Sequence, residues 1–223
     1  MVQQGKSFTW INLLVNAIKL YYCDVLNKPY NFSLVVRPRK RGRRLPKVLT
    51  AENVEKMLNP IENIKHKCIL MLMYSSGVRV GELVDLELTD LDIKKGVLLV
   101  RNGKGQKDRI TMLGVKILKH LKQYIETYKP RRWIFEGPGG RPYSTSSVRS
   151  IVNSAAAKLN LPIKPSPHVF RHSFATHSLE MGTDLRYIQE LLGHRSTRTT
   201  EIYTHVTKTA LSKIPNPLDN LII

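Results

Sequence analysis

The feature that most constrains the fold is the segment 168–203, where polar residues stand at fixed intervals among apolar residues with helical spacing. His168 and Arg171 are three residues apart, so they share a face if this stretch is helical. His194 directly follows a leucine-rich run and a glycine, and Tyr203 comes nine residues later. The pattern predicts helices that carry several cationic side chains in a fixed order ahead of one phenol.

A tyrosine surrounded by cations suits nucleophilic attack on a phosphodiester. A phenol has a pKa of roughly 10 and is a poor nucleophile unless its surroundings activate it. The attacked phosphate gains charge in the transition state, which fixed arginine and histidine donors can stabilise. Taken singly, each residue has an ordinary explanation: His168 and Arg171 decorate a helix, and Tyr203 is a half-buried aromatic.

The charge balance points to a polyanionic partner. The 223 residues hold 36 lysines and arginines against 17 acidic residues, a formal charge of +19. Nucleic acid is the leading candidate partner. A membrane surface is the alternative, but the basic residues are not gathered on one amphipathic helix. The 42% hydrophobic content suffices for a packed core, which argues against a disordered basic tail.

Cysteine usage and apolar runs indicate the compartment. Cys23 and Cys68 cannot form a disulfide framework, and a reducing cytosol fits them. The N-terminus lacks the pattern of a secretory signal, and the longest apolar run, 68–74, is too short to cross a bilayer. We therefore expect a soluble, cytoplasmic protein with no membrane partner. Paired cysteines and an H-E-x-x-H motif are missing, so we expect no metal and no cofactor.

The chain ahead of the main domain predicts one helix and one flexible strap. Residues 8–26 have amphipathic helical spacing, with an apolar stripe that must pack on something. Residues 37–47 hold seven basic residues with two prolines and one glycine, a composition that suits neither a helix nor a central strand. We expect a solvated linker that also lies along DNA phosphates.

The main domain is predicted to be mostly helical. Helices are expected at 62–74, 115–128 and 147–159, with Ser144 or Thr145 capping the last of these and Thr50 near the domain start as a further cap. The first of these helices is expected to face inward with Ile64, Cys68, Ile69, Leu72 and Met73. Gly77 is expected to end it, and a second helix is expected to carry Arg79 and Glu82 three residues apart. A short strand is expected at 133–135. A β-hairpin is expected from strands 97–101 and 109–113, with a basic, glycine-rich connection. Such a tip is either a solvated turn or a segment that enters a nucleic-acid groove.

The order of these motifs resembles the tyrosine recombinases, the family of phage integrases and Xer recombinases. The family pattern H-x-x-R, then L-G-H, then tyrosine nine residues on stands here as HVFR, LLGH and Tyr203. The stretch SSGVRVGEL resembles the first-arginine box T-G-x-R-x-x-E-L, with Ser76 in place of threonine. GKGQKDR resembles the catalytic-lysine hairpin G-K-G-x-x-x-R. The likeness covers about residues 49–212.

The resemblance assigns roles by position. The implied catalytic set is Arg79, Lys104, His168, Arg171, His194 and Tyr203. Tyr203 would attack the phosphate, Lys104 would protonate the leaving 5′-oxygen, and His168 would act as base or hydrogen-bond partner. Glu82 would orient Arg79. From the basic strap and the hairpin we expect DNA contacts by Arg37, Arg39, Lys40, Arg41, Arg43, Arg44, Lys47, Lys107 and Arg109.

The implied fold is that of a DNA breaking–rejoining catalytic domain, mainly α with a small antiparallel β-sheet (α+β). We expect residues 1–33 to be the last helix of a shortened core-binding domain, 34–48 a basic linker, 49–212 the catalytic domain and 213–223 a C-terminal tail. The implied activity is site-specific recombination or integration through a 3′-phosphotyrosyl intermediate. The implied partners are double-stranded DNA and further copies of the chain, forming a tetramer in the synaptic complex.

Three other functions remain compatible with parts of the pattern. A type IB topoisomerase would share the chemistry but relax supercoiled DNA without site preference. A DNA-binding module of the same fold would bind without forming a covalent adduct. A basic structural or ribosome-associated protein would account for the charge of +19 but not for the six matched positions.

Overall fold

A computed structural model describes residues 8–28, 46–101, 108–157, 159–194 and 197–200. Contacts divide the chain into two units, Met1–Arg44 and Leu45–Ile223. This division falls inside the segment 34–48 that the sequence predicts to be a linker. None of the helices in the described part of the chain is long and apolar enough to span a bilayer.

The first unit contains the predicted N-terminal helix. Helix α1 spans Phe8–Leu20 and continues into a π-helical turn at Tyr21–Val25. Asn27 takes a positive φ of 48°, which ends the helix as expected. Much of the predicted apolar stripe is exposed, including Leu13 at 69% and Val25 at 63%. Within this unit the stripe is therefore largely uncovered.

The second unit is mainly helical. Its helices are α2 (Ala51–Leu58), α3 (Ile64–Ser76), α4 (Val80–Val84), α5 (Val115–Tyr128), α6 (Thr145–Ala156), α7 (Pro167–Glu180), α8 (Leu185–Leu192) and α9 (Thr197–Thr200). Helix α3 is the central element, since α2, α4, α5, α6 and α7 all contact it. Of the residues predicted to face inward, Cys68, Ile69, Leu72 and Met73 are completely buried, and Ile64 at the helix start is half-buried. Burial of this apolar surface drives the unit to fold.

The sheet is small and antiparallel, as predicted. Strands β1 (Leu91–Asp92), β2 (Val97–Val100) and β3 (Arg109–Met112) pair in that order. Leu98 pairs with Thr111, and both side chains are buried on the face toward the helices. Strand β3 contacts α3 and α8, so the sheet lies beside the end of α8. The mainly α, α+β class is confirmed.

Two local predictions change in the structure. Trp133 makes only an isolated bridge to Glu87, so the strand predicted at 133–135 is wrong. The carboxylate of Glu136 accepts the backbone N–H groups of Arg131 and Arg132 at 2.9 and 2.8 Å, which curls the chain before a strand can extend. Helix α6 begins two residues earlier than predicted and ends at Ala156.

Capping side chains set most helix starts. Thr50 accepts the backbone N–H of Asn53 at 3.2 Å and caps α2, as its sequence position predicts. Ser144 accepts the N–H of Ser147 at 3.0 Å and caps α6. Ser166 caps α7, and Pro167 occupies the first helical position, where a missing N–H costs nothing. His168 is therefore the second residue of α7.

Candidate active site

Arg79 lies at the corner between α3 and α4. Gly77 ends α3 with a φ of 62°, and a side-chain Cβ there would lie 2.5 Å from the ring of Phe174. The backbone then extends, and Arg79 takes φ −74° and ψ 153° just before α4. The prediction that Arg79 lies on a helix together with Glu82 is therefore corrected: Arg79 precedes the helix, and Glu82 occupies its first turn.

Glu82 joins two arginines. Its Oε1 accepts Nη1 of Arg79 at 2.6 Å and Nη1 of Arg109 at 2.9 Å. Its Oε2 accepts the backbone N–H of Arg79 at 2.8 Å and Nη2 of Arg109 at 2.6 Å. Burial alone would raise the pKa of Glu82, but the hydrogen bonds from Arg109 and Arg79 outweigh it and lower the pKa to about 2. Glu82 is therefore a fixed carboxylate that holds both guanidinium groups.

Arg171 projects from α7 into the interior and is only 4% exposed. Its Nη1 donates to the carbonyl of Gly77 at 2.5 Å, and its Nη2 donates to the carbonyl of Leu192 at 2.6 Å. The same Nη2 lies 3.1 Å from Nε2 of His194. One side chain thus links α7, the corner after α3 and the end of α8.

His194 is placed by the end of α8. Gly193 terminates that helix with a left-handed φ of 63°. The side chain of Gln189 donates to the carbonyl of His194 at 3.1 Å, and Nδ1 of His194 lies 3.0 Å from the hydroxyl of Thr200. Backbone and ring are both held, so the orientation of the imidazole is fixed by the fold.

The surroundings of His194 favour its neutral form. Burial is the main cause, and the positive charges of Arg171, Arg79 and Arg109 add to it. Together with a smaller contribution from His172, they lower the pKa of His194 to about 4. The ring is therefore neutral near pH 7 when no anion is bound.

These contacts form one connected group, which we call the arginine cluster: Arg79, Arg109, Arg171, Glu82 and His194. Three guanidinium groups oppose one carboxylate, and the imidazole is neutral, so the group carries a net charge of two positive units. Such a partly buried excess of positive charge attracts an anion with several oxygens. A phosphate group is the natural ligand for this geometry.

An open cavity adjoins the arginine cluster. It measures about 650 Å³, and Arg79, Glu82 and His168 border it. His168 is exposed at the start of α7, while Arg171 on the same helix is buried. The two residues of the H-x-x-R motif therefore have different surroundings: His168 borders the cavity, and Arg171 lies in the interior.

Part of the predicted set lies outside the described residues. This applies to the candidate nucleophile Tyr203, to Lys104 and Lys107 of the hairpin connection, and to the strap residues Arg37, Arg39, Lys40, Arg41, Arg43 and Arg44. Lys47 is described and exposed just before α2. Arg109 is described too, and its side chain is only 7% exposed and paired with Glu82.

Sequence reasoning missed several groups that hold the cluster. Thr200 is fully buried and contacts His194, although a threonine near a helix gives no distinctive pattern. The carbonyls of Gly77, Leu191 and Leu192 accept arginine hydrogen bonds. Every residue has a backbone carbonyl, so residue type cannot show which carbonyls bind an arginine. The glycines that shape the turns were the only sequence signal near these carbonyls.

Comparison with known proteins identifies the family. The model of the phage integrase family matches residues 47–210. Tyrosine recombinase XerD of Staphylococcus aureus strain Mu50 is 33% identical over 231 residues, which cover 97% of this chain and 78% of XerD. The crystal structure of XerA recombinase superposes with a TM-score of 0.69 at 30% identity, covering 95% of this chain and 76% of XerA. A XerH site-specific recombinase, solved bound to its difH substrate after cleavage, gives a TM-score of 0.70 at 26% identity, covering 81% of this chain and 57% of XerH.

The chain therefore belongs to the phage integrase family. The family model spans the arginine cluster and extends past Tyr203. Within the family, the chain is a tyrosine-type site-specific DNA recombinase that resembles the Xer proteins.

Proposed function

We propose that this recombinase cleaves and rejoins double-stranded DNA with Tyr203 as its nucleophile. The phenolic oxygen forms a bond to the scissile phosphorus, and the bond from phosphorus to the 5′-oxygen breaks. The products are a 3′-phosphotyrosyl link and a free 5′-hydroxyl. The attack of another 5′-hydroxyl on this link reverses the step and rejoins the strand. The phosphotyrosyl bond retains the energy of the original ester, so the exchange requires no nucleotide cofactor.

The observation that carries this proposal is the arginine cluster. Its two net positive charges are preorganised by Glu82 and by backbone carbonyls before any DNA arrives. The transition state of phosphoryl transfer spreads negative charge over the non-bridging oxygens. Arg79, Arg171 and His194 are the members that we assign to these oxygens. Donors that need no rearrangement at the moment of reaction contribute most to catalysis.

Proton transfer is assigned to Lys104 and His168. Lys104 is proposed to give a proton to the leaving 5′-oxygen, because it stands at the lysine position of the G-K-G-x-x-x-R motif, whose last residue is Arg109 of the cluster. His168 is proposed to take the phenolic proton, and its exposed position at the start of α7 supports access to bound DNA.

Double-stranded DNA is the proposed substrate. The formal charge of +19 supports binding to a polyanion, and the XerH relative was solved on its DNA substrate. The strap residues 37–47 are proposed to lie along phosphates, where each cation adds affinity but no sequence information. Lys107 of the hairpin connection is assigned the same role.

Further copies of the chain are the second proposed partner. The tail 213–223 ends in several aliphatic residues after two prolines. We assign it to a contact between protomers, which a head-to-tail arrangement would close into a ring of four on paired DNA sites.

The test is a reaction with a suicide substrate, a nicked DNA site whose cleavage releases a short fragment and so traps the covalent adduct. DNA that contains a candidate attachment site is the substrate, and scrambled DNA of equal length is the control. A denaturing gel should show an adduct with the first and none with the second. Relaxation of supercoiled plasmid without site preference would instead indicate a topoisomerase, and site binding without any adduct would indicate a non-cleaving module.

A further inference from the structure

Each of the three guanidinium nitrogens of Arg109 donates a hydrogen bond within the protein. Arg109 is the first residue of β3, two positions after Lys107. Its two terminal nitrogens form a fork on Glu82, with distances of 2.9 and 2.6 Å to the two carboxylate oxygens. Its Nε donates to the carbonyl of Leu191 at 2.8 Å. The side chain is 7% exposed, so these contacts are shielded from water.

The fork on Glu82 transmits the position of Arg109 to Arg79. Each oxygen of Glu82 accepts one hydrogen bond from Arg109 and one from Arg79. The carboxylate cannot rotate without breaking bonds to both arginines. Because Glu82 holds the side chain and the backbone N–H of Arg79, displacement of Arg109 would also displace Arg79.

The third contact fixes the end of α8. Carbonyls in the last turn of a helix lack intrahelical partners, and here Arg109 binds that of Leu191 while Arg171 binds that of Leu192. The aliphatic part of Arg109 also lies against Gly193, where an added Cβ would be 2.9 Å from its Cδ. Gly193 immediately precedes His194, so Arg109 supports the turn that places the imidazole.

We propose that Arg109 is a positioning residue for DNA cleavage, because its guanidinium ties Glu82 to the end of α8 and thereby holds Arg79 and His194 in register. This inference depends on the roles proposed above for Arg79 and His194. It departs from the prediction, based on sequence, that Arg109 contacts DNA. The partners of Arg171 are neutral, whereas Arg109 binds a carboxylate through both terminal nitrogens. A phosphate would therefore compete with Glu82 for that fork and would leave the carboxylate with fewer partners.

The variant that tests the inference is Arg109→Lys. Lysine keeps the positive charge, but a single ammonium cannot both form a fork on Glu82 and reach Leu191. The matched control is Arg132→Lys. Arg132 also donates hydrogen bonds from two nitrogens to a glutamate, Glu87. Its side chain is 66% exposed and does not belong to the arginine cluster. Both variants are compared with the unaltered full chain at a temperature where thermal melting shows all of them folded.

The expected result is a split between cleavage and binding. For Arg109→Lys, the rate of adduct formation at saturating suicide substrate should fall about 100-fold, as for a small misplacement of catalytic groups. The dissociation constant and its salt dependence should not change. Arg132→Lys should leave all three quantities unchanged. An unchanged rate at saturation, with weaker binding and an unchanged salt slope, would mean that Arg109 is a phosphate contact, since lysine keeps the charge but loses the fork geometry.

A double variant gives a second test of whether Arg109 acts through Glu82. Two substitutions that each only destabilise the protein would lower the cleavage rate independently. If Arg109 acts through Glu82, then Arg109→Lys combined with Glu82→Gln should cleave no more slowly than the slower single variant. Multiplied losses in the double variant would overturn the inference.

A measurement on the unaltered protein covers the case in which Arg109→Lys does not fold. The Nε–H of Arg109, assigned in nitrogen-15 spectra through its contact with Gly193, should stay protected from exchange when DNA binds. Loss of that protection would overturn the inference. If the unaltered protein forms no adduct at all, the proposed function fails. If it does form one and Arg109→Lys behaves like Arg132→Lys, only the role of Arg109 fails.

Discussion

Nη2 of Arg171 lies 3.1 Å from Nε2 of His194. A guanidinium can only donate, so Nε2 accepts and the ring proton resides on Nδ1, which then donates to Thr200. The guanidinium of Arg171 and the imidazole of His194 thus form a donor–acceptor pair when no anion is bound. A phosphate that inserts between them would accept from Arg171 and favour a proton on Nε2, because a nearby negative charge stabilises the imidazolium form.

Replacing Arg171 should damage cleavage far more than DNA binding. Arg171→Lys keeps the charge but loses the planar donor geometry, and we expect the cleavage rate to fall about 100- to 1,000-fold. Affinity should change little, since one phosphate contact is one of many. Single-turnover adduct formation and a gel-shift titration measure the two quantities.

Arg171→Ala is the less informative variant. It would leave the buried carbonyls of Gly77 and Leu192 without donors, at a cost of about 1–3 kcal/mol each. Thermal melting must therefore accompany either variant. Equal losses of cleavage rate and affinity in a folded Arg171→Lys protein would mean that Arg171 only positions DNA.

Stability should fall as the pH drops from about 6.5 to about 4. Burial holds the pKa of His194 in the folded chain at about 4, whereas an unfolded histidine titrates near 6.5. In this window the unfolded state binds a proton that the folded state does not, so acid favours unfolding. Burial also lowers the pKa values of His66, His172 and His177, which adds to the same trend.

The measurement is the melting temperature as a function of pH. One pKa unit corresponds to at most about 1.4 kcal/mol, and partial exposure of His194 reduces that value. His194→Gln should flatten part of the decline between pH 6.5 and 4, and the remaining histidines should account for the rest. The pKa of Glu82, about 2 in the folded chain, predicts a further loss below pH 4.5 that His194→Gln leaves intact. Identical pH curves for both proteins would contradict the burial of a neutral His194.

Tyr203→Phe should abolish the covalent adduct and leave DNA binding nearly intact. The change removes one nucleophilic oxygen and no charge. A suicide-substrate reaction followed by a denaturing gel tests it, with a gel shift on the same DNA as the binding control. An adduct formed by Tyr203→Phe would disprove the assignment of the nucleophile.

Cleavage should survive an excess of chelator. No residue pattern in the sequence has metal-ligand spacing, and within the described ranges no three histidine, cysteine or acidic side chains gather. Adduct formation is measured with and without chelator on the same DNA. Activity that is lost with chelator and restored by added magnesium or zinc would overturn the metal-free mechanism.

Removing the tail after Pro215 should impair assembly rather than binding to a single DNA half-site. The tail ends in Leu218, Leu221, Ile222 and Ile223, and each can contribute roughly 1.5–3 kcal/mol if it is buried against a neighbour. A gel-shift titration with paired half-sites measures cooperativity, and a single half-site is the control. Unchanged cooperativity in the truncated chain would leave the tail with a local packing role.

Apolar periodicity and turn residues determined most of the secondary structure. The helix at 115–128 has the predicted bounds, and Gly77 and Gly193 end α3 and α8 where the sequence places them. These features depend on local forces, namely helical spacing, capping and the conformational freedom of glycine. The strand predicted at 133–135 failed because the hydrogen bonds of Glu136 override local propensity.

The motifs also indicated the class of enzyme, because their residue types, spacing and order resemble those of the tyrosine recombinases. They could not indicate which groups would touch. Glu82 and Arg109 are 27 residues apart, and Arg171 and Gly77 are 94 apart, so their contacts depend on how β3, α7 and α8 pack around α3. The sequence by itself determined that the cationic residues are present. Only the tertiary structure decided that Arg109 faces inward to Glu82, because burial, charge pairing and the end of a helix act together there and none of them is a property of local sequence.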